Sequence, residues 1–427
     1  SLVVALLAGV VPALRLSLVG RAGATRTSTS ERGQRRLRAT LVAAEVALAL
    51  VLVSGASLLL RSFVNLVNVD TGFARSGVAV LQVFAWDRNP GPDRLRGFFD
   101  AAIASLEQLP GVEGAGAVSA MPFVEANFDV REGFAIVGDP PPAEGIELRS
   151  SINVATPGYF AAMGIQVVRG RALETFDGPD SPPVAVVSEA FADRYFRGRD
   201  PIGRRLSYTM QGRAAEAEIV GVTAAQRHQR LDEAPRPEVF RPFAQTPSGS
   251  MTLVARTRGD ARSLLESAKH AVWAVDPLQT FYSAGTIDEM VGRTVATRRF
   301  TLLVLAGFGA LAIVLAAAGL YGVLTAIAAQ QRREIGVRLA LGARWVDVIR
   351  LMVGRGLAMV LVGLAAGLAG ALGTGRLLSS FLFGVAPSDP WAIGGAAALM
   401  VAVALPACLL PANRAAATDP VEVLRAD

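Results

Sequence analysis

Residues that often carry chemistry are scarce in this chain of 427 residues, which has one cysteine and two histidines. The single Cys408 excludes an internal disulfide framework. His228 and His270 are the only histidines, and Cys408 lies inside an apolar run, so a typical zinc site is unsupported. A Walker A loop for ATP needs a lysine behind a glycine-rich turn, and the only lysine, Lys269, follows no such turn. These residues therefore contain no phosphate-binding loop for ATP.

The polar part of the chain shows no recognisable catalytic constellation. His228 stands beside Arg227 in a polar stretch, which predicts a solvated loop histidine, and His270 follows Lys269 on a predicted helix. The G-x-S-x-G turn is absent, so a Ser/His/Asp triad is unsupported, although the sequence alone does not exclude one. We therefore expect a protein that is not an enzyme and that holds neither a cofactor nor a metal in this chain.

Charge is missing from three long apolar runs, at residues 301–330, 356–375 and 391–413. Each run is long enough to cross a bilayer as a helix. A fourth run, at 40–60, carries only Glu45, near one end, from which a carboxylate can extend to the membrane interface. With 52% hydrophobic residues and a mean hydropathy of +0.41, the four runs predict a membrane protein rather than buried core helices.

Arginines beside the apolar runs set the orientation, because positively charged loops stay in the cytoplasm. They precede the first run and separate the second from the third: Arg15, Arg21, Arg26, Arg32, Arg35, Arg36 and Arg38, then Arg332, Arg333, Arg338, Arg344 and Arg350. The loop 379–390 has no basic residue. We predict cytoplasmic segments at 15–39, 330–350 and 414–427. The net charge of +6 then reflects topology rather than nucleic acid binding.

The region 63–299 has mixed composition and is predicted to fold outside the membrane as an α+β domain. Two segments repeat the order strand, helix, strand: 78–84, 95–109 and 112–118, then 251–256, 261–275 and 280–284. These βαβ halves, at about 76–120 and 250–290, flank an inserted lobe at about 121–249, as in a split ferredoxin-like layer. Within the lobe, 183–187 and 218–222 read as strands and 189–196 as a helix.

The predicted fold class is an α-helical membrane protein with this α+β extracytoplasmic domain. Its transmembrane helices are expected at 40–62, 300–329, 351–378 and 390–413. Residues 3–17 resemble residues 401–416, since both place Pro-Ala-x-Arg after an apolar stretch. Residues 1–14 are therefore expected to be the end of a preceding helix, in the second half of a tandemly duplicated permease. The alternative of a signal peptide lacks the usual positive charges before the apolar stretch.

Several stretches resemble a known family of permeases. ATPGYFAAMGIQVVRGRALETFD, PPVAVVSEAFADRYFRGRDPIGRRL and EIVGV, within 155–222, resemble the extracytoplasmic core domain of MacB-type permeases. QQRREIGVRLALGARWVDVIRLM, at 330–352, resembles the signature loop of FtsX-like permease domains. The resemblance implies the membrane subunit of an ABC transporter of the mechanotransmission kind, with ATP hydrolysed by a cytoplasmic ABC ATPase partner. Some members of the family export antibiotics, peptides or lipoproteins with partners such as a periplasmic adaptor; others activate cell-wall hydrolases.

The loop after the second run is the predicted ATPase-coupling site, and the resemblance supports that role. Its candidate residues are Arg332, Arg333, Glu334, Ile335, Gly336, Arg338, Leu341, Gly342 and Ala343. Charged and apolar residues alternate there, which predicts a short amphipathic helix at the membrane surface. Glu334 has no use in topology, and Gly342 provides a turn that a simple anchor would not need. The alternative is that the arginines only anchor the topology.

Two other function classes compete with an ABC permease. A secondary transporter is disfavoured, because such proteins place ionisable groups at the bilayer midplane. A signalling or scaffold protein with an FtsX-like role shares every sequence feature with the transporter and stays open. Gly363 and Gly367, with Ala366 and Gly370, predict close helix packing. The expected partners are membrane lipid and either the first half of the same permease or a second permease copy.

Overall fold

The computed structural model describes residues 28–85, 91–124, 131–140, 147–210, 213–331, 334, 338 and 344–416. It divides into two compact units. One unit is Phe63–Thr301, and the other consists of the described residues up to Ser62 and from Leu302 onward. The elements are α1 (Ser28–Val67), β1 (Val78–Phe84), α2 (Pro92–Glu107), β2 (Val112–Val118), β3 (Arg131–Ile136), β4 (Arg149–Ala155), α3 (Tyr159–Met163), β5 (Val167–Gly170), β6 (Val184–Ser188), α4 (Glu189–Tyr195), β7 (Arg205–Met210), β8 (Arg213–Thr223), β9 (Glu238–Pro242), β10 (Ser250–Thr257), α5 (Ala261–Val275), β11 (Phe281–Thr286), α6 (Ile287–Gln330), α7 (Trp345–Leu377), the 3-10 turn Ser379–Phe381 and α8 (Pro390–Ala416).

Four helices, α1, α6, α7 and α8, are long and apolar enough to cross a membrane, as the uncharged runs predict. All four are longer than expected, and α1 and α6 are longer by more than ten residues. Residues 28–39, expected as a linker, form the first turns of α1. The 44 residues of α6 extend about 66 Å at 1.5 Å per residue, against a hydrocarbon thickness of about 30 Å. Both helices therefore continue past the length that a bilayer requires.

The predicted glycine packing is confirmed between α7 and α1. A Cβ atom on Gly363 would lie 2.7 Å from the carbonyl oxygen of Ala43, and one on Gly367 would lie 2.9 Å from that of Ala47. The absence of side chains lets the two backbones approach closely, which favours helix association in lipid. The carboxylate of Glu45 lies beside Gly319 of α6. Its extension to the membrane interface stays a prediction.

The two predicted βαβ halves of the outer domain are present. Strands β11, β1, β10 and β2 lie side by side in that order, each antiparallel to its neighbour. Residues of alternating position on these strands, such as Leu81 and Leu253, share a buried core with Phe99 of α2 and Val272 of α5. Alternation puts Gln82 on the opposite face of the sheet. The two helices therefore cover one face only.

The inserted lobe has more strands than the sequence predicts. Strands β4, β3, β7, β8, β6 and β9 pair in that order, and β9 pairs again with β4, so that these six strands form a closed ring. The ring joins the sheet of the βαβ halves through one residue pair, Val118 with Ala155. Phe134 of β3 shares a buried core with Phe191 of α4 and Phe196 at the end of that helix, together with aliphatic side chains of the strands. The predicted strands at 183–187 and 218–222 are confirmed as β6 and the end of β8.

Candidate coupling segment between the second and third membrane helices

The segment predicted to contact an ATPase leaves α6 and enters α7 at one packed cluster. Val348, Met352 and Ala412 are buried there, and Ile327 of α6 packs against them. Three helices, α6, α7 and α8, thus contribute side chains to the same cluster. The segment therefore begins and ends beside side chains that pack together across three membrane helices.

Polar contacts reinforce both ends of the segment. The amide of Gln331 donates to the carbonyl oxygen of Ile327 at 3.0 Å, which continues the last turn of α6. The guanidinium of Arg355 on α7 donates to the side-chain oxygen of Gln331 at 2.5 Å. Arg414 of α8 donates to the hydroxyl of Tyr321 on α6 at 2.7 Å. These bonds tie α6 to α7 and to α8 next to the buried cluster.

The start of α7 is capped by a carboxylate and presents apolar side chains to the outside. The backbone amide of Arg344 donates to Oδ2 of Asp347 at 3.1 Å, so the acidic group also lies at the positive end of the helix dipole. Trp345 and Val346, which directly precede Asp347, are exposed. A tryptophan and a valine exposed at a helix start form an apolar surface that either lipid at the membrane interface or a partner protein could cover.

Two of the nine candidate residues are described. Glu334 and Arg338 are helical, and Nη2 of Arg338 lies 2.6 Å from Oε1 of Glu334. This (i, i+4) ion pair stabilises an exposed helix by about 0.3–0.5 kcal/mol, so Glu334 has a structural role that the sequence analysis did not assign. Arg332, Arg333, Ile335, Gly336, Leu341, Gly342 and Ala343 lie outside the described residues.

Sequence reasoning missed Asp347, Trp345 and Arg355 as parts of this site. The position of Asp347, three residues after Arg344, is a signal of a helix start that could have located the beginning of α7. The bond from Arg355 to Gln331 has no such signal, because it joins two helices across a loop.

His228 in the outer domain is not the solvated residue that its polar neighbours predict. Its side chain is only 12% exposed, and Nε2 lies 2.7 Å from Oε1 of the fully buried Glu238. Nδ2 of Asn153 donates to the same carboxylate oxygen at 2.8 Å. Burial, and next the charge of Glu238, raises the pKa of Tyr159 well above its usual value. No group of three or more potential metal ligands occurs within the described parts of the chain.

A second buried ionisable group lies in the inserted lobe. The guanidinium of Arg241 stands 5.0 Å from the ring centre of Tyr208, and Arg241 is 6% exposed. Burial lowers the pKa of Arg241 and raises that of Tyr208 to about 12. Burial also raises the pKa of Glu132, which the positive charge of Arg241 counteracts. A cation facing an aromatic ring and a carboxylate is a structural arrangement that keeps a buried charge compensated.

The fold and this segment define a multi-pass membrane protein with a large extracytoplasmic α+β domain. The sequence profile of the MacB-like periplasmic core domain matches residues 42–271, which is more than half of the chain. The profile of the FtsX-like permease C-terminal region matches residues 306–420. The chain therefore belongs to the MacB/FtsX-type permease family.

Its relatives include named exporters. The chain is 28% identical over 301 residues to the macrolide export ATP-binding/permease protein MacB of Rhodospirillum rubrum, covering 66% of this chain and 44% of that protein. It is 25% identical over 272 residues to the pyoverdine export ATP-binding/permease protein PvdT of Pseudomonas putida, covering 61% and 40%. The periplasmic region of MacB from Actinobacillus actinomycetemcomitans aligns with a TM-score of 0.35 at 14% identity, covering 53% of this chain and 94% of that one. The chain thus spans less than half the length of these curated relatives.

Proposed function

We propose that this chain is the membrane permease subunit of an ABC exporter that works by mechanotransmission. A cytoplasmic ABC ATPase would hydrolyse ATP, and the permease would convert that cycle into movement of its extracytoplasmic domain. The observation that carries the proposal is the packed cluster around Met352, from which the coupling segment leaves and to which it returns. An ATPase pressing on the exposed start of α7 would act on three membrane helices together.

The length of α6 supports the mechanical part of the proposal. A helix transmits displacement along its axis because its backbone hydrogen bonds run in that direction. α6 continues without interruption from Ile287 to Gln330, so one helix contains both a membrane span and the residues that precede it. In the proposed mechanism, displacement at Gln330 would be carried along this helix.

The chemistry of the cargo is proposed from the relatives alone. The two relatives are named as exporters of a macrolide and of pyoverdine. Each of these proteins is more than twice as long as the part of this chain that aligns with it. We propose an antibiotic, peptide or lipoprotein-like cargo that leaves the membrane or the periplasm. A periplasmic adaptor would then be one of the partners.

A complete permease in this proposal contains two sets of four membrane helices. The described residues of this chain contribute four. The second set would come from another copy or from a first half of the same polypeptide. Crosslinking of the chain in membranes, with and without any preceding half, distinguishes the two arrangements.

The test exploits the ion pair between Glu334 and Arg338. The permease is co-purified with its ABC ATPase. ATP hydrolysis is measured in lipid nanodiscs and export is measured with vesicles. The variants are Glu334→Arg, Arg338→Glu and the double exchange, which combines the two substitutions. The double exchange restores an (i, i+4) pair but reverses the charges presented to a partner. We expect all three variants to lose stimulation of ATP hydrolysis and export at normal membrane levels.

Recovery in the double exchange would mean that the pair only stabilises the helix, and would remove the docking role of Glu334. The parent chain could also show no export although ATP hydrolysis remains coupled to an extracytoplasmic partner. That result would support the FtsX-like signalling role. A matched control is Glu266→Arg, which breaks an exposed ion pair with Lys269 on α5 of the outer domain and leaves the cytoplasmic segment intact.

A further inference from the structure

A cavity of about 290 Å³ opens on the face of the outer sheet that α2 and α5 leave uncovered. Its walls come from β1, β11, the first turns of α6 and the loop after β2. The lining side chains include Gln82, Phe123, Val124, Tyr282, Met290 and Arg293. The volume is at the lower end of the range for small-molecule sites, so a ligand of about a dozen non-hydrogen atoms would fit.

The cavity is not a simple packing defect, because its floor is polar. Empty cavities in proteins are lined by apolar groups. Gln82 on the floor is 1% exposed, and Thr252, its neighbour across the β1–β10 pair, is also 1% exposed. The polar side chains of Ser283 and Thr294 also line the cavity. Buried polar groups at this position indicate a space that polar atoms occupy.

Arg293 supplies a positive charge at the edge of the cavity. Two charged residues near it on α6 are paired: Glu289 lies 2.7 Å from Arg262, and Arg298 lies 2.6 Å from Asp232. Within the described ranges, Arg293 forms neither an ion pair nor a hydrogen bond through its side chain. An unpaired guanidinium beside apolar walls favours an anion, and a carboxylate matches its geometry.

The loop that forms the roof is held in an unusual conformation. Phe123 has a φ of 61°, in the left-handed region that residues other than glycine rarely adopt. Its amide donates to the carbonyl oxygen of His228 at 2.6 Å, and its ring packs edge-on against Phe73 at 6.0 Å. These contacts hold an apolar side chain over the cavity. Strained backbone that the surroundings maintain is typical of ligand sites.

We propose that this cavity binds a small amphiphilic anion, with its carboxylate at Arg293 and its apolar part between Met290, Val124 and the exposed ring of Tyr282. Aromatic and thioether side chains adapt to flat apolar ligands. The site is a property of the outer domain. It is independent of which cargo is exported and of any ATPase.

The test compares two probes of nearly equal size and shape, the anion 2-naphthoate and its uncharged amide 2-naphthamide. Binding to the full chain in nanodiscs is measured by equilibrium dialysis without nucleotide, with empty nanodiscs correcting for partition into lipid. We expect naphthoate to bind about tenfold more tightly than naphthamide, as a charge-assisted hydrogen bond implies. Arg293→Gln should remove that preference and leave the affinity for naphthamide within about twofold.

Two further variants complete the test. Arg299→Gln replaces another exposed arginine of α6 that does not line the cavity and should keep the tenfold preference. Ser283→Phe, on the half-buried strand β11, should fill the cavity and weaken both probes. Binding of neither probe to the parent chain would overturn the proposal, and so would naphthoate binding that Arg293→Gln leaves unchanged. Because no ATPase is present, either result is separate from the outcome of the export assay.

Discussion

The guanidinium of Arg61, near the end of α1, donates a hydrogen bond to Oδ2 of Asp389, which lies 328 positions further along the chain. The same carboxylate oxygen accepts from the backbone amide of Ala392 at 3.1 Å and thus caps the start of α8. The side chain of Asp389 is only 12% exposed. One carboxylate therefore fixes the first and last helices of the membrane unit to each other.

Replacing this carboxylate should destabilise the membrane unit. We expect Asp389→Ala to reduce the free energy of unfolding by about 2 kcal/mol, because it removes a helix cap and leaves Arg61 without its partner. Asp389→Asn keeps the helix cap and should therefore lose less stability than Asp389→Ala. The measurement is thermal unfolding in detergent, followed by tryptophan fluorescence. Arg376→Gln, an exposed arginine with no ion pair among the described residues, serves as the control, and an equal loss there would contradict the assignment.

The loss of stability on replacing a glycine of α7 with alanine should depend on which atoms face that glycine. Gly363→Ala and Gly367→Ala would bring a methyl group within about 3 Å of α1 and should cost about 1–3 kcal/mol, as overpacking does. Gly373→Ala on the same helix meets no atom within 4 Å and should be neutral or stabilising. Thermal unfolding of the three variants checks this contrast. Equal effects would mean that helix propensity, rather than packing on α1, decides the outcome.

The ion network around Asp232 should make part of the outer domain sensitive to acid. The guanidinium of Arg230, followed by that of Arg298, holds the pKa of Asp232 well below its usual range. A carboxyl group with a depressed folded-state pKa contributes stability above its unfolded pKa of about 4 and loses it as the pH falls further. We expect Asp232→Asn to lose stability at pH 7 and to weaken less than the parent between pH 5 and pH 3. The melting temperatures of the two proteins are measured as a function of pH. An equal decrease of both between pH 5 and pH 3 would contradict the prediction.

The orientation can be tested by labelling single cysteines. In a Cys408→Ala background, Asp180→Cys lies on the exposed surface of the outer domain, and Arg344→Cys lies at the exposed start of α7. An impermeant thiol reagent added to intact cells should label position 180 and leave position 344 unlabelled until the membrane is opened. The reverse pattern would invert the topology.

Much of the fold could be predicted from local sequence patterns. Strands β1 and β2 and helix α5 match their predicted bounds at every residue, because each alternates or repeats its apolar residues with the period of its own structure. The four membrane helices were predictable for a similar reason: backbone in lipid has to satisfy its own hydrogen bonds, so length and apolarity are sufficient signals. Of the candidate coupling residues, Glu334 and Arg338 were predicted as a charged pattern, but not as partners.

The features that the sequence did not reveal depend on residues far apart in the chain. Strands β3 and β9 of the inserted lobe were missed, because short strands closed into a ring carry weak local signals. His228 was misjudged because its burial comes from Glu238 and Asn153, neither of which is its neighbour in sequence. Polar neighbours in the sequence predict that a residue is exposed to solvent only when the fold brings no distant partner to its side chain.

The sequence by itself determined the membrane spans, their orientation and the order of the two βαβ halves, because these follow from apolar length, arginine placement and periodicity. Only the tertiary structure decided which glycines face α1, that Glu45 contacts Gly319, and that Arg293 stands unpaired beside a cavity within the described residues. Periodicity specifies the face of an element but not the atoms opposite it. Those are fixed by packing between segments that may be hundreds of residues apart, as Arg61 and Asp389 are.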